Sequence, residues 1–287
     1  IDRESFMAST TNWLSALTLK MSYGAQGNDN LGTYYASKGL YTIVSNLGEN
    51  ALVSDRMATP NLKWETNLNF NVGVDFSLFN NRFSGSFDFF TRRSKDLLYS
   101  RPIAPSLGYG SIDENVGALK NTGIEMVLNG TIINQNGWVW KLGMNLTHYK
   151  NKVTELPLKL QVGRSVYDFY MKEWAGVDPD NGNPLWYMDE KDANDKLTGK
   201  RVTTSDYASA NYYYVNKSSL PKVYGGFNTS LSWKGFDLSA IFAYSIGGYI
   251  YNRDITMILH NGSLEGRDWS TEILKRWTPE NRYTDVP

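Results

Sequence analysis

The side chains of this chain that could do chemistry are carboxylates and aromatics. Asp75, Asp88, Glu125 and Asp237 all fall on the polar parity of alternating segments. Two carboxyls held about 5 to 9 Å apart are what glycoside hydrolysis requires. The same groups, on strands that face water, can instead stay solvated or pair with Lys20 and Lys141. The two histidines, His148 and His260, lie far apart and have no evident partner. Strand parity puts His148 on an apolar face near a strand end, an interfacial position more than a ligand's. There is no cysteine, hence no thiol nucleophile, disulfide or thiolate metal site. Neither G-x-S-x-G nor G-x-x-x-x-G-K-[ST] occurs. No enzyme and no cofactor is expected.

The run Asp178-Pro-Asp-Asn-Gly182 is similar to the start of a calcium loop, which needs Gly at its sixth position and Glu at its twelfth. Here Gly182 is fifth and Asp189 twelfth, so the run reads as a turn, with a weak cation site at Asp178 and Asp180 as the alternative. The aromatic side chains are more suggestive. Trp174, Trp186, Tyr187, Tyr212, Tyr213 and Tyr214 fall in one long connection, close in sequence to Asp178, Asp180 and Asn181. Flat rings beside polar groups bind sugar faces or peptide side chains, and also pack loop on loop. These nine residues are the candidates for contacting a substrate.

The elements that must position them alternate with a period of two. From Thr66 to Leu78, apolar Leu68, Phe70, Val72, Val74, Phe76 and Leu78 are interleaved with Asn67, Asn69, Asn71, Gly73, Asp75 and Ser77. After Asn80-Asn81-Arg82 the pattern resumes with Phe83, Gly85, Phe87 and Phe89. A dozen alternating residues exceed an ordinary strand but suit a tilted bilayer crossing of about 9 to 11. A first strand is predicted from Trp13 to Tyr23, a second hairpin over Thr122–Lys150 turning near Asn134–Gly137, and a third over Val223–Ser245 turning at Lys234-Gly235. Short connections of two to four residues alternate with long ones of about 25 to 70, the pattern of outer-membrane barrels with tight periplasmic turns and long outer loops. Residues 24–65, 151–222 and 246–287 are expected as those extracellular loops. Trp13, Tyr23, Phe83, Trp138, Trp140, Tyr149, Trp233, Phe236 and Tyr244 sit near strand ends, where aromatic girdles belong.

Bulk properties agree. Lys and Arg total 29 and Asp and Glu 29, so no net field favours nucleic acid. Mean hydropathy is −0.43 and no run of apolar residues is long enough for a membrane helix, but alternation dilutes the hydropathy of any barrel. The predicted class is all-β: a segment of an antiparallel up-and-down transmembrane β-barrel. Seven strands are too few to close one, and the chain opens without Met and stops without a closing strand, so a piece of something longer is expected. A soluble β-rich carbohydrate-binding protein and a porin or adhesin are the competing classes.

The stretches PNLKWET (60–66), VGVDFSLFNNRFSGSFDFF (72–90), NVGALKNTGIEMVL (115–128), EWAGVDPDNGNPLW (173–186), LPKVYGGFNTSLSWKGFDLSAIFAYSIGG (220–248) and RWTPENRYTDVP (276–287) are ordered along nearly the whole chain. On them the sequence resembles the barrel domain of SusC/RagA-type TonB-linked outer-membrane transporters of Bacteroidetes. The resemblance implies a barrel of roughly 22 strands, of which residues 1–287 would be a late part, without the plug domain and final strands. It implies import of oligosaccharides or peptides, energised by the TonB complex through the missing N-terminal part, under a SusD-like surface lipoprotein that acts as a lid. The nine candidate residues would then contact substrate or lid, and outer-membrane lipid would surround the strands.

Overall fold

The computed structural model describes residues 4–10, 12–31, 34–155, 161–260 and 262–287. Of the expected loops, residues 32–33, 156–160 and 261 therefore lie outside the described residues. In chain order the strands are β1 (Leu14–Asn28), β2 (Leu40–Asn46), β3 (Glu49–Arg56), β4 (Glu65–Leu78), β5 (Phe83–Lys95), β6 (Leu98–Pro102), β7 (Ser111–Asn115) and β8 (Ala118–Gln135). They continue with β9 (Trp138–Glu155), β10 (Asp168–Lys172), β11 (Trp174–Val177), β12 (Pro184–Lys191), β13 (Leu197–Thr204), β14 (Tyr212–Ser218), β15 (Val223–Trp233) and β16 (Phe236–Ile246). The chain divides into two units. One comprises 1–166 with 221–247, the other 167–220 with 248–287.

The first unit is built on a seven-stranded antiparallel sheet in the order β1-β4-β5-β8-β9-β15-β16. Its register aligns the alternation of every strand. Leu19 pairs with Val74, Val74 with Phe87, Phe87 with Met126, and Met126 with Leu146. One row on, Leu17, Phe76, Gly85, Leu128, Met144, Phe227 and Phe242 are successive partners. A one-residue slip anywhere would send a strand's whole apolar set to the other face. The apolar rows are not covered by protein: Leu19 is 60% exposed, Phe87 51% and Leu238 68%. A soluble sandwich would bury such a face, whereas a barrel strand presents it to lipid.

The three tight turns fall where the alternation breaks. Lys234-Gly235 and Asn136-Gly137 both have positive φ at the two central residues, the hairpin geometry whose twist matches the strands. The β4–β5 turn spans 79–82, with Phe79, Asn80 and Asn81 at positive φ. Beside the other two turns, Trp138 stacks on Trp233 with ring centroids 4.8 Å apart, as an aromatic girdle requires. Tyr149 departs from the girdle assignment. Its odd position in β9 turns it to the polar face, where it meets Tyr224 edge-on at 6.4 Å.

The long connections hold more structure than a reading as plain loop allows. β1 continues to Asn28, through a Gly- and Gln-bearing stretch whose pairing is supplied by β4. β2 and β3 form a hairpin over Leu47-Gly48, and β6 and β7 form another. Asn115 joins these connections, its Nδ2 donating to Lys63 O and Asp96 O, both at 2.8 Å, while its Oδ1 accepts from Lys63 N at 2.7 Å. Asn151, buried on the polar face of β9, does the same for 161–166. Its Oδ1 accepts from Val166 N at 3.0 Å and Ser165 Oγ at 3.1 Å.

Candidate functional site

The polar face of the sheet is a water-facing wall. Lys20 on β1 reaches Asp75 at 2.7 Å and Asp88 at 3.2 Å, so two of the four candidate carboxylates share one cation. A carboxylate bridged this way is not free to act as a nucleophile. Asp88 pairs across the strands with Gly73, and a methyl group at Gly73 would lie 2.0 Å from Asp88 Oδ1. Glycine at 73 thus makes room for the ion pair. Phe90 is buried on the same face opposite Gly123, where a Cβ would meet its ring edge at 2.7 Å.

The second unit carries all nine candidate residues. β10 pairs with β14 and β11 with β12 and β13, in two small antiparallel sheets. Tyr170 lies opposite Tyr214 and Lys172 opposite Tyr212, which puts three tyrosines and a lysine on one face. Tyr170 is 5.5 Å from Tyr212 and 4.8 Å from Tyr214 between ring centroids. Lys172 Nζ sits 4.1 Å from the Tyr207 ring centre and 5.4 Å from that of Tyr212, and donates to Tyr207 O. Its charge is thereby held against aromatic faces and a carbonyl. The 206–209 turn that presents Tyr207 is closed by Asp206, which accepts from Ala208 N and from the Ser209 hydroxyl. The Ser209 hydroxyl, then the Ala208 amide, hold the Asp206 carboxyl below its ordinary pKa.

Trp174 and Trp186 pair across β11 and β12 with rings perpendicular at 5.8 Å, and Tyr207 meets Trp186 at 5.0 Å. Tyr187 contributes backbone instead, its N–H donating to Glu173 O at 3.1 Å and its carbonyl accepting from Asn211 N. Tyr213 points away from its two neighbours, since strand parity sets it opposite Met171. There its hydroxyl donates to Asp189 at 2.8 Å, and Arg201 stacks over its ring at 3.8 Å. Burial, then the hydrogen bond to Asp189, push the Tyr213 phenol up to about 12.

Asp178, Asp180 and Asn181 form a separate feature. Asp178 accepts from Asp180 N at 2.9 Å and Asn181 Nδ2 at 2.8 Å, which spends its carboxylate on closing its own turn. Asp180 pairs with Arg282 at 2.7 Å. Among the described residues no cluster of three or more His, Cys, Asp or Glu could hold a metal ion, and Arg282 occupies the charge a cation at Asp180 would need. The concentration of aromatic residues in one long connection was enough to name the tyrosines. Lys172 joins them only through the pairing of β10 with β14, and Trp277 and Arg282 are far in sequence and carry no local signal.

An open antiparallel sheet with a lipid-facing apolar side, tight turns at one end and elaborated loops at the other is part of an outer-membrane β-barrel. The chain belongs to the family described as TonB dependent receptor-like, beta-barrel, whose model matches residues 8–253. That family consists of outer-membrane transporters and not enzymes. The chain is 28% identical to TonB-dependent receptor P3 of Formosa agariphila, over 99% of this chain and 30% of that protein. It is 26% identical to TonB-dependent receptor SusC of Bacteroides thetaiotaomicron, over 88% of this chain and 27% of SusC. Among solved structures, the RagAB peptide importer in its closed-closed state superposes with a TM-score of 0.85 at 34% identity, over 100% of this chain and 32% of that one. The RagAB peptide transporter gives 0.83 at 35%, over 99% of this chain and 32% of that one. The chain thus spans about a third of the length of the relatives it matches.

Proposed function

We propose that the whole protein imports oligosaccharides or peptides across the outer membrane, energised by TonB and working with a SusD-like lipoprotein. In this reading residues 24–65, 151–222 and 246–287 are extracellular loops. The second unit, with Trp174, Asp178, Asp180, Asn181, Trp186, Tyr187 and Tyr212–Tyr214, contributes to the vestibule that contacts substrate or lid. Of the two cargo classes we favour peptide, since the solved RagAB structures matched at 34% and 35% identity are of a peptide importer. The observation that carries the reading is the tyrosine face of β10 and β14 with its central lysine, Lys172. Aromatic faces beside a cation suit peptide side chains and carboxylates.

The test is excision. Ser219 N donates to Tyr167 O at 2.9 Å, so the two ends of the segment lie side by side and a short Gly-Ser link can replace residues 168–218 in the full-length protein. Cells carrying the excision should lose uptake of labelled peptide, or recovery of the lipoprotein with the barrel, while the barrel still reaches the outer membrane. Unchanged uptake and unchanged pairing would remove residues 168–218 from the vestibule.

A further inference from the structure

Directly beyond the lipid-facing apolar band, the outward side of three adjacent strands becomes basic. Phe89, Ile124 and His148 form the last row of that band, as cross-strand partners on β5, β8 and β9. The next row outward is Thr91, Thr122 and Lys150, with the two threonine hydroxyls 3.2 Å apart. The row after that is Arg93, Lys120 and Lys152. Lys120, Lys150 and Lys152 are exposed, and among the described residues none of them makes an ion pair. Arg93 alone has an acidic neighbour, Glu155, at 3.6 Å. The opposite side of the same strands is closed, since Gly123, Asn151 and Val153 are buried there.

The height of this patch is set by the strand. From Phe83 beside the β4–β5 turn to Arg93, ten residues rise about 33 Å along β5, or about 25 Å across a membrane at a barrel tilt near 40°. That is the thickness of the apolar band, so the cations lie at the far membrane interface. Like charges directly opposite on neighbouring strands repel, and Arg93–Lys120–Lys152 sets three in one row. Such a row favours an anion beyond the one carboxylate of Glu155, and at an interface next to hydrocarbon the attraction is screened less than in open water.

We infer that the outward side of β5, β8 and β9 at Arg93, Lys120, Lys150 and Lys152 is a binding surface for the phosphate groups of a phosphorylated glycolipid in the outer leaflet. Its acyl chains would run down the exposed apolar rows that begin at Phe89 and Ile124. The surface is continuous with the lipid-facing band, which is why a lipid phosphate fits it better than a free anion. The inference rests on the proposed orientation, with the long loops outside.

The experiment uses the full-length protein extracted from outer membranes in mild detergent. Glycolipid phosphate retained per protein is measured for the native protein, for K120Q/K150Q/K152Q, for the charge-keeping K120R/K150R/K152R, and for K191Q/K196Q/K200Q as equal charge loss elsewhere. The glutamine variant at 120, 150 and 152 should retain about tenfold less glycolipid, with the arginine and distant variants near the native level. Equal retention in the glutamine variant overturns the inference. So does an equal thermal shift of the native protein by inorganic phosphate and by added glycolipid, which would make the patch a small-anion site. Loss of the partner lipoprotein without loss of glycolipid would make it a protein interface and overturn it as well. Orientation is read separately, by labelling Asp195→Cys on intact cells with a membrane-impermeant maleimide. Labelling with unchanged glycolipid sinks the lipid surface alone, and labelling only after permeabilisation sinks the orientation along with it.

Discussion

Trp277 lies flat against Gly182, ninety-odd residues earlier in the chain. A Cβ on Gly182 would come within 2.7 Å of the indole ring, and the indole Nε1 donates to Pro179 O at 3.2 Å. Arg282 adds a hydrogen bond to the same carbonyl at 2.8 Å and the ion pair with Asp180. The D-P-D-N-G turn is therefore a docking post for the segment 276–287.

Gly182→Ala tests this. At φ +78° a side chain costs about 1–2 kcal/mol in any setting, and here it also collides with the indole. The variant should expose the 178–184 turn to protease in the full-length protein while the barrel remains resistant. Asp180→Ala should do far less, because an exposed ion pair contributes about 0–1 kcal/mol. Equal sensitivity of the two variants would mean that charge, not the fit of Trp277, holds the turn.

The lipid-facing assignment makes a sharper contrast. Phe87 sits mid-band between Val74 and Met126, while its neighbour Ser86 turns to the polar wall between Asp75 and Val127. Phe70 is a poorer probe, since its partners are Tyr23 and Thr91, one row from the interface. Phe87→Arg should cost roughly 2–4 kcal/mol and Ser86→Arg much less, measured by denaturant unfolding of the full-length protein in lipid vesicles. Comparable costs at the two positions would mean that the faces are reversed.

The barrel strands were legible because a lipid-facing strand writes its register into its own sequence. Val72, Val74 and Phe76 announce a face, and Asn136-Gly137 announces a turn. The hairpins inside the loops lack both signs. β2 and β3 turn at Leu47-Gly48, and Leu47 at φ +54° is not a residue from which a tight turn is expected. In β14 the tyrosines follow one another without a polar alternate, so parity becomes visible only when the partner strand β10 is known. The contacts of Trp277 and Arg282 are long-range and leave no local periodicity. The aromatic candidates could be named from the sequence, but their division into one tyrosine face, one tryptophan pair and the inverted Tyr213 could not.

Tyr213 links the two small sheets of the second unit, joining β14 to Asp189 on β12, and its ionisation should unlock them. Its phenol is held near 12, above the ordinary value of about 10, chiefly by burial and then by the Asp189 carboxylate. The folded state therefore keeps this proton longer than the unfolded one. The stabilisation is fully present below pH 10 and is lost as pH rises from about 10 to about 12. Amide exchange in 187–190 and 211–214 of the full-length protein should accelerate over that window. Tyr213→Phe removes the hydrogen bond at all pH values, at a cost of about 0.5–1.5 kcal/mol. It should show faster exchange already at neutral pH, no further alkaline step in these segments, and one fewer late-titrating tyrosinate by absorbance. An alkaline step that survives in Tyr213→Phe would assign the linkage to another group.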